Sequence, residues 1–402
     1  MKVLLANTRE LCYFSGSYFL NRIQEELTRA GVEVVRLDLS EDEADFSLLQ
    51  EQIGKHFDAI LDINSRLPYL IDEKGGRILN QMDAPFFNYI VDHPLYHHPG
   101  LVFPIHRYYA LGVDRMHCTY MKQYYPQFKD VQFLPLGGTK ALTDIPFRAR
   151  RKEILFMGTY IQDDDFEHRI LGLRQQLNNA TYQLALDLYD AWDDERETIE
   201  ECLHSLLMRY GSCKDEEQLT EYINDAYEMR DFPELLNAMF LVDQRRRNEN
   251  RIFILTRLAE THAKLMIVGE GWKSTPLADY ENVTIRGGCS MEQSFEQMVQ
   301  HRFLLDINPA FRLGMHDRVA SGLANGCVAV TNMSPKFDEE LKNQRQLLYY
   351  KKQSAAQIPE WLSDLTEDEM EEISDAAKKQ WQEKYSFPVR VKEWIRMIDN
   401  IS

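Results

Sequence analysis

The sequence predicts an α/β protein of two doubly wound, Rossmann-like domains facing a cleft, with a helical insertion in the second. Three observations lead there. Short runs that are apolar on both faces recur along the 402 residues, as in parallel strands covered on both sides. Segments with helical spacing of apolar residues alternate with them. Just after the second series begins, charged sequence of helical period interrupts it from about 161 to 250.

The elements follow in order. "KVLLANT" reads as a strand, "SGSYFLNRIQEELTRAG" as a helix with Phe19, Ile23 and Leu27 on one face and Gly31 as its stop, and "VEVVRLDLS" as a second strand. "FDAILDIN", "APFFNYIVD", "DRMHCTY" and "VQFLPLGG" read as further strands, and the first domain is assigned to residues 1–150, its last strand ending near Gly138. "RRKEILFMGTY" opens the second domain, 151–375, with Gly158 at the strand end. Within the insertion, "LHSLLMRY" and "PELLNAMFLV" are the clearest amphipathic pieces, and no strand is expected. The pattern resumes with "RIFILTRLAETH", "AKLMIVGEGW", "ENVTIRGG", "HRFLLDINP" and "GCVAVTN". Between the last two, a helix from Asp317 to Asn325 turns Val319, Ala320, Leu323 and Ala324 inward and stops at Gly326. Residues 376–402 read as terminal helices, broken at Pro388, that cross back to the first domain.

Composition narrows the function. The chain carries 46 basic against 64 acidic residues, a formal net charge of -18. That balance argues against a nucleic-acid partner, which needs a basic face to replace phosphate counterions. Six scattered cysteines without a CxxC pair, a quickly polar start and no apolar run near the roughly 18 residues that span a membrane lead us to expect a cytoplasmic protein with no transmembrane segment.

In doubly wound sheets, ligands bind beyond the carboxyl ends of the strands. His316 and Arg318 stand there at a helix start, where backbone N–H groups favour an anion and a cation is out of place unless an anion sits beside it. A diphosphate answers that description; a carboxylate partner such as Asp317 would answer it too. Glycines at other strand ends, Gly158 and the Gly269, Gly271, Trp272 turn, let backbone approach a ligand closely.

The run "DINPAFRLGMHDRVASGLANGCVAVT", preceded by a strand and "GEGW", resembles the carboxyl domain of GT-B glycosyltransferases, in particular the group related to spore-coat maturation proteins. "YIVDHPLYH", "FLPLGG" and "ILFMGTY" stand in the matching order. The resemblance covers most of the chain outside the insertion. It implies a nucleoside-diphosphate-sugar donor in the second domain and a protein or glycan acceptor on the first; no metal or other cofactor is expected. It assigns Gly158, Gly269, Gly271, Trp272, Arg312, His316 and Arg318 to the donor, with Asn332 near its ribose or sugar. The chain departs from the pattern at Ser321, where many retaining members carry a glutamate, so inversion is expected.

Inversion needs a base to deprotonate the acceptor. Asp92 and His93, at a strand end in the first domain, are the candidates, and Ser15 and Gly16 border the acceptor or the diphosphate. His93, His97, His98 and His106 do not read as a metal site, because Pro94 and Pro99 make a loop of the segment that would have to be a helix. Asp163 and Asp165 form an Asp-x-Asp that reads as a solvated helix start, and the basic run "DQRRRNENR" as a face paired with acids. Two other functions remain in view: a nucleotide-sugar-binding scaffold without activity, with the insertion docking a protein partner, and an isomerase acting on the nucleotide sugar alone.

Overall fold

A computed structural model describes residues 1–39, 47–161, 168–172, 179–228, 236, 238–307, 311–332, 334 and 337–401. The chain divides into two units, Met1–Pro135 with Glu200–Phe240 and Arg390–Ser402, and Leu136–Ile199 with Leu241–Val389.

The first unit holds a six-stranded parallel sheet of order β2-β1-β3-β4-β5-β6. Its strands are β1 (Lys2–Asn7), β2 (Glu33–Asp38), β3 (Ala59–Ile63), β4 (Phe86–Ile90), β5 (Tyr108–Gly112) and β6 (Asp130–Phe133). Every residue of β3 and β4 is buried, which is why their sequences are apolar on both faces. Helix α1 (Ser15–Arg29) buries Phe19, Leu20, Ile23 and Leu27, and Gly31 takes the positive φ that ends it.

"DRMHCTY" is not a strand. It starts helix α2 (Arg115–Tyr124), because Asp114 accepts the Met116 N–H at 2.6 Å and caps it. His117, Tyr120, Met121 and Tyr124 then share a buried face at helical spacing. The strand lies just upstream, in "YYALG".

The second unit's sheet is also parallel and six-stranded, of order β12-β11-β10-β7-β8-β9. It begins with β7 (Arg151–Met157). Helices α3 (Asn179–Ala191), α4 (Ile199–Tyr210), α5 (Glu216–Glu228) and α6 (Phe240–Glu260) follow. The described residues of the expected insertion are helical where they are regular, yet they are not one block of the second domain. From Glu200 to Phe240 they count with the first unit, where α4 buries Cys202, Leu203, Leu206 and Leu207. Asp163 and Asp165 lie outside the described residues. The basic run sits within α6, where Arg245 and Arg247 pair with Glu249 and Asp243 while Leu255 and Leu258 are buried.

Strand β8 (Leu265–Val268), β9 (Val283–Arg286), helix α7 (Met291–Gln300), β10 (His301–Asp306), α8 (Asp317–Ala324), β11 (Val328–Thr331) and β12 (Leu347–Tyr349) complete the sheet and its cover. Helices α9 (Ile358–Asp364) and α10 (Glu367–Gln380) follow, then a π turn over Trp381–Tyr385 and α11 (Phe387–Asp399). Pro388 falls in the first turn of α11, where its missing N–H costs nothing. From Arg390 onward α11 belongs to the first unit, and Trp394 packs against Phe87 of β4 at 5.9 Å. Among the described residues, no helix is long and apolar enough to cross a membrane.

Candidate active site

At the ends of β7 and β8 the glycines solve a crossing problem. A Cβ on Gly269 would lie 2.1 Å from the Gly158 carbonyl oxygen, and one on Gly271 2.0 Å from that of Tyr160. Gly271 also holds φ at 85°. Two strand exits therefore cross at backbone contact. Trp272 locks the crossing from below: it is fully buried, its ring meets Phe156, and its indole N–H donates to the Gly158 carbonyl at 2.6 Å. Its contribution is packing under the turn, since no part of the ring is exposed to a ligand.

The β10 end and the start of α8 carry the charge. His316 is the N-cap of α8, its Nδ1 accepting the Arg318 N–H at 3.2 Å. The same Nδ1 lies 2.8 Å from Asp317 Oδ1, so it accepts from the backbone when unprotonated and donates to Asp317 when protonated. Burial would raise the Asp317 carboxyl, but His316 and Arg318 beside it hold it below its ordinary value. Arg318 Nη1 meets Asp306 Oδ1 at 3.4 Å. Asp306 is buried at the end of β10, accepts the Thr331 hydroxyl at 2.9 Å, and its backbone carbonyl accepts the Tyr350 hydroxyl. Thus Arg318 already has an anion: its Nη1 lies at ion-pair distance, 3.4 Å, from the buried Asp306 carboxylate at the strand end.

Arg312 and Asn332 fall elsewhere, on the wall of a cavity of about 610 Å³ past the ends of β11 and β12. Arg196, Lys351, Lys352, Asp194, Tyr349 and Trp361 share that wall. The structure thus brings together Gly158, Gly269 and Gly271, pairs His316 with Arg318, and places Arg312 with Asn332. Because the sheet is parallel, all three groups lie at the carboxyl ends of its strands. Ser321 is buried, and its hydroxyl accepts the Thr139 N–H.

In the first unit, Asp92 and His93 part ways although they are neighbours. Asp92 is half exposed beyond β4, and its Oδ2 accepts from Asn64 at 2.9 Å and faces His97 Nε2 at 3.3 Å. His93 is fully buried. Its Nε2 lies 3.3 Å from Glu200 of α4, and its ring stacks edgewise on His117. Burial alone would raise the Glu200 carboxyl, yet the two imidazoles bring it down to about 2. Of the two candidate bases, Asp92 is the exposed one. Ser15 and Gly16 open α1, but Glu10 already fills that helix start, accepting the Ser17 N–H at 3.2 Å.

Sequence reasoning passed over Asp306, Thr331, Glu200 and the Lys351, Lys352 wall. Asp306 had a signal, an acid inside the apolar run "FLLDIN". Glu200 had none, being distant from His93 in sequence and set in an ordinary helical pattern.

Residues 245–396 match the glycosyl transferase-like family. No curated protein sequence matches the chain significantly. Among solved structures, sucrose-phosphate synthase from Thermosynechococcus elongatus aligns at 9% identity over 100% of both chains with a TM-score of 0.54. The T4 phage glucosyltransferase BGT in complex with UDP-glucose aligns at 9% identity over 99% of this chain and 100% of its own, TM-score 0.52. Anabaena HepE in complex with UDP-glucose aligns at 9% identity over 100% of both, TM-score 0.51. Two parallel sheets matched end to end with such proteins establish the GT-B fold.

Proposed function

Taking as premise a chain of GT-B fold whose segment 245–396 matches the glycosyl transferase-like family, we propose that it moves a sugar from a nucleoside diphosphate to a protein or glycan acceptor, with inversion. The observation that carries this reading is the α8 start: a helix N-terminus, capped by His316, with Arg318 Nη1 paired to Asp306 at the β10 end. Backbone donors and a fixed guanidinium stabilise the charge that develops on a leaving diphosphate, which is the main electrostatic demand of the transfer. The second-unit strand ends supply the donor site without added Mg²⁺ or Mn²⁺. Neighbours bound to UDP-glucose make UDP the first nucleotide to test.

Asp92 is the proposed base. Asn64 and His97 orient it, and it is exposed enough to meet an acceptor hydroxyl. Ser321 stands where a retaining pattern would carry a glutamate, which favours inversion.

The test is a thermal-shift titration of wild type and Arg318→Ala with UDP, dTDP, GDP, ADP and CMP in the absence of Mg²⁺ and Mn²⁺. A ligand of the folded state adds RT ln(1 + [L]/Kd), about 2.7 kcal/mol at a hundredfold excess over Kd. One diphosphate should stabilise the wild type and not the variant. Stabilisation by none, or equally in both proteins, would remove the donor assignment.

A further inference from the structure

We propose that His93, His117 and Glu200 form a binding site for one zinc ion within the first unit. The three come from separate elements: the segment after β4, helix α2 and the first turn of α4. All are buried, and one ligand atom from each lies within 4.8 Å of the others. His93 Nε2 and His117 Nε2 stand 3.3 and 3.8 Å from the same Glu200 oxygen. Those separations are long for N–H···O bonds. They match a coordination sphere, in which metal–ligand bonds of about 2.1 Å set neighbouring donor atoms about 3.4 Å apart. His93 Nε2 and Glu200 Oε1 face one another at 3.3 Å without meeting hydrogen-bond geometry, so both buried atoms are poorly satisfied, and an ion between them would satisfy both.

The donor set selects the metal. Two imidazoles and one carboxylate suit zinc, whereas Mg²⁺ and Ca²⁺ prefer oxygen alone. A cavity of about 620 Å³, lined in part by Tyr120, Met116 and His204, borders the cluster on its Glu200 side. One feature opposes binding. Leu95 donates its N–H to His93 Nδ1 at 3.1 Å, which places the proton of a neutral His93 on Nε2. Zinc at Nε2 moves that proton to Nδ1 and turns the Leu95 N–H away. A single neutral hydrogen bond is small against three metal–ligand bonds. The other histidines of this segment stay outside the site: His98, which opens a short helix over His98–Leu101 where the sequence predicts loop, bonds the Tyr125 hydroxyl through Nδ1 at 2.6 Å, and His97 faces Asp92. The ion's effect is to clamp α4 to α2 and to the end of β4.

The experiment uses the full chain, stripped with a chelator, desalted, and titrated with Zn²⁺ and separately with Co²⁺. The wild type should retain about one zinc ion per chain after desalting, gain thermal stability, and with Co²⁺ show the visible absorption of a low-coordinate site. Glu200→Gln and His117→Asn should each lose the ion. A wild type that retains none, or variants that retain as much as wild type, would overturn the site. Should the variants misfold by circular dichroism, X-ray absorption on the zinc-loaded wild type decides: two imidazoles and one carboxylate support the site, and any other ligand set overturns it.

Discussion

A guanidinium near the amino end of a helix opposes the dipole, and Arg318 is tolerated there because Asp306 lies against it. The contact reaches a buried carboxylate, so it is worth more than a solvated surface pair. Arg318→Ala leaves Asp306 with Thr331 but without a cation. We expect a loss of about 1–3 kcal/mol in urea unfolding, in addition to the lost diphosphate response; an unchanged midpoint would show that Asp306 does not need the arginine. Asp62, fully buried in β3, has a raised carboxyl. Burial raises its carboxyl to about 6, against the opposing pull of the Ser65 and Thr8 hydrogen bonds. The folded state therefore holds the proton more tightly than the unfolded chain. Stability from this group is present below about pH 4 and declines as pH rises towards 6, by about 3 kcal/mol at 1.36 kcal/mol per unit. Asp62→Asn should remove that decline, so the variant should gain on wild type between pH 4 and 6 and run parallel above it. Parallel curves throughout would contradict the shift. Arg318 was legible in sequence because a cation at a helix start is an anomaly. His93 was legible only as a reactive residue type, since its burial depends on α2 and α4, which no local pattern connects to it.

Among elements, the long apolar strands were the readable ones. β1, β3, β4, β8, β10 and β11 coincide with runs whose apolar character reflects burial on both faces, and β7 does so from Ile154 onward. The miss at β5 and α2 has a local cause: "YYALG" and "DRMHCTY" are adjacent, and one capping aspartate decides which is helix. Strand β12, three residues at the sheet edge, is too short to leave a period. Glycine positions were also legible, and the structure gives their reason as crossing backbones rather than ligand approach alone. Gly271→Ala combines a left-handed φ with a clash against the Tyr160 carbonyl, so it should cost about 2 kcal/mol or more. Gly172→Ala, with no described atom within 4 Å of the added carbon, is the control and should be near neutral. Equal effects on the melting temperature would refute the crossing argument.

Over the whole molecule, the least legible property was which segment belongs to which unit. Residues 200–240 count with the first unit although the second unit's β7 precedes them, and Arg390 onward returns to the first. A linear cut at 150 was the natural reading because sequence shows order and not tertiary neighbours. A fragment of residues 1–150 would lack Trp394 against Phe87 and Phe240 against Tyr96. It should bind hydrophobic dye and lack a cooperative melt, whereas the full chain should melt cooperatively; a well-folded fragment would mean that the later segments are dispensable.

That interleaving has a consequence for the protein's birth. The strands of the first sheet leave the ribosome early, but the helix that covers Phe87 is made only after the whole second sheet has been threaded. At about 5–20 residues per second, the young sheet waits tens of seconds with apolar surface uncovered, so this chain completes its amino-terminal half last and should lean on chaperones during synthesis more than a protein of two sequential domains.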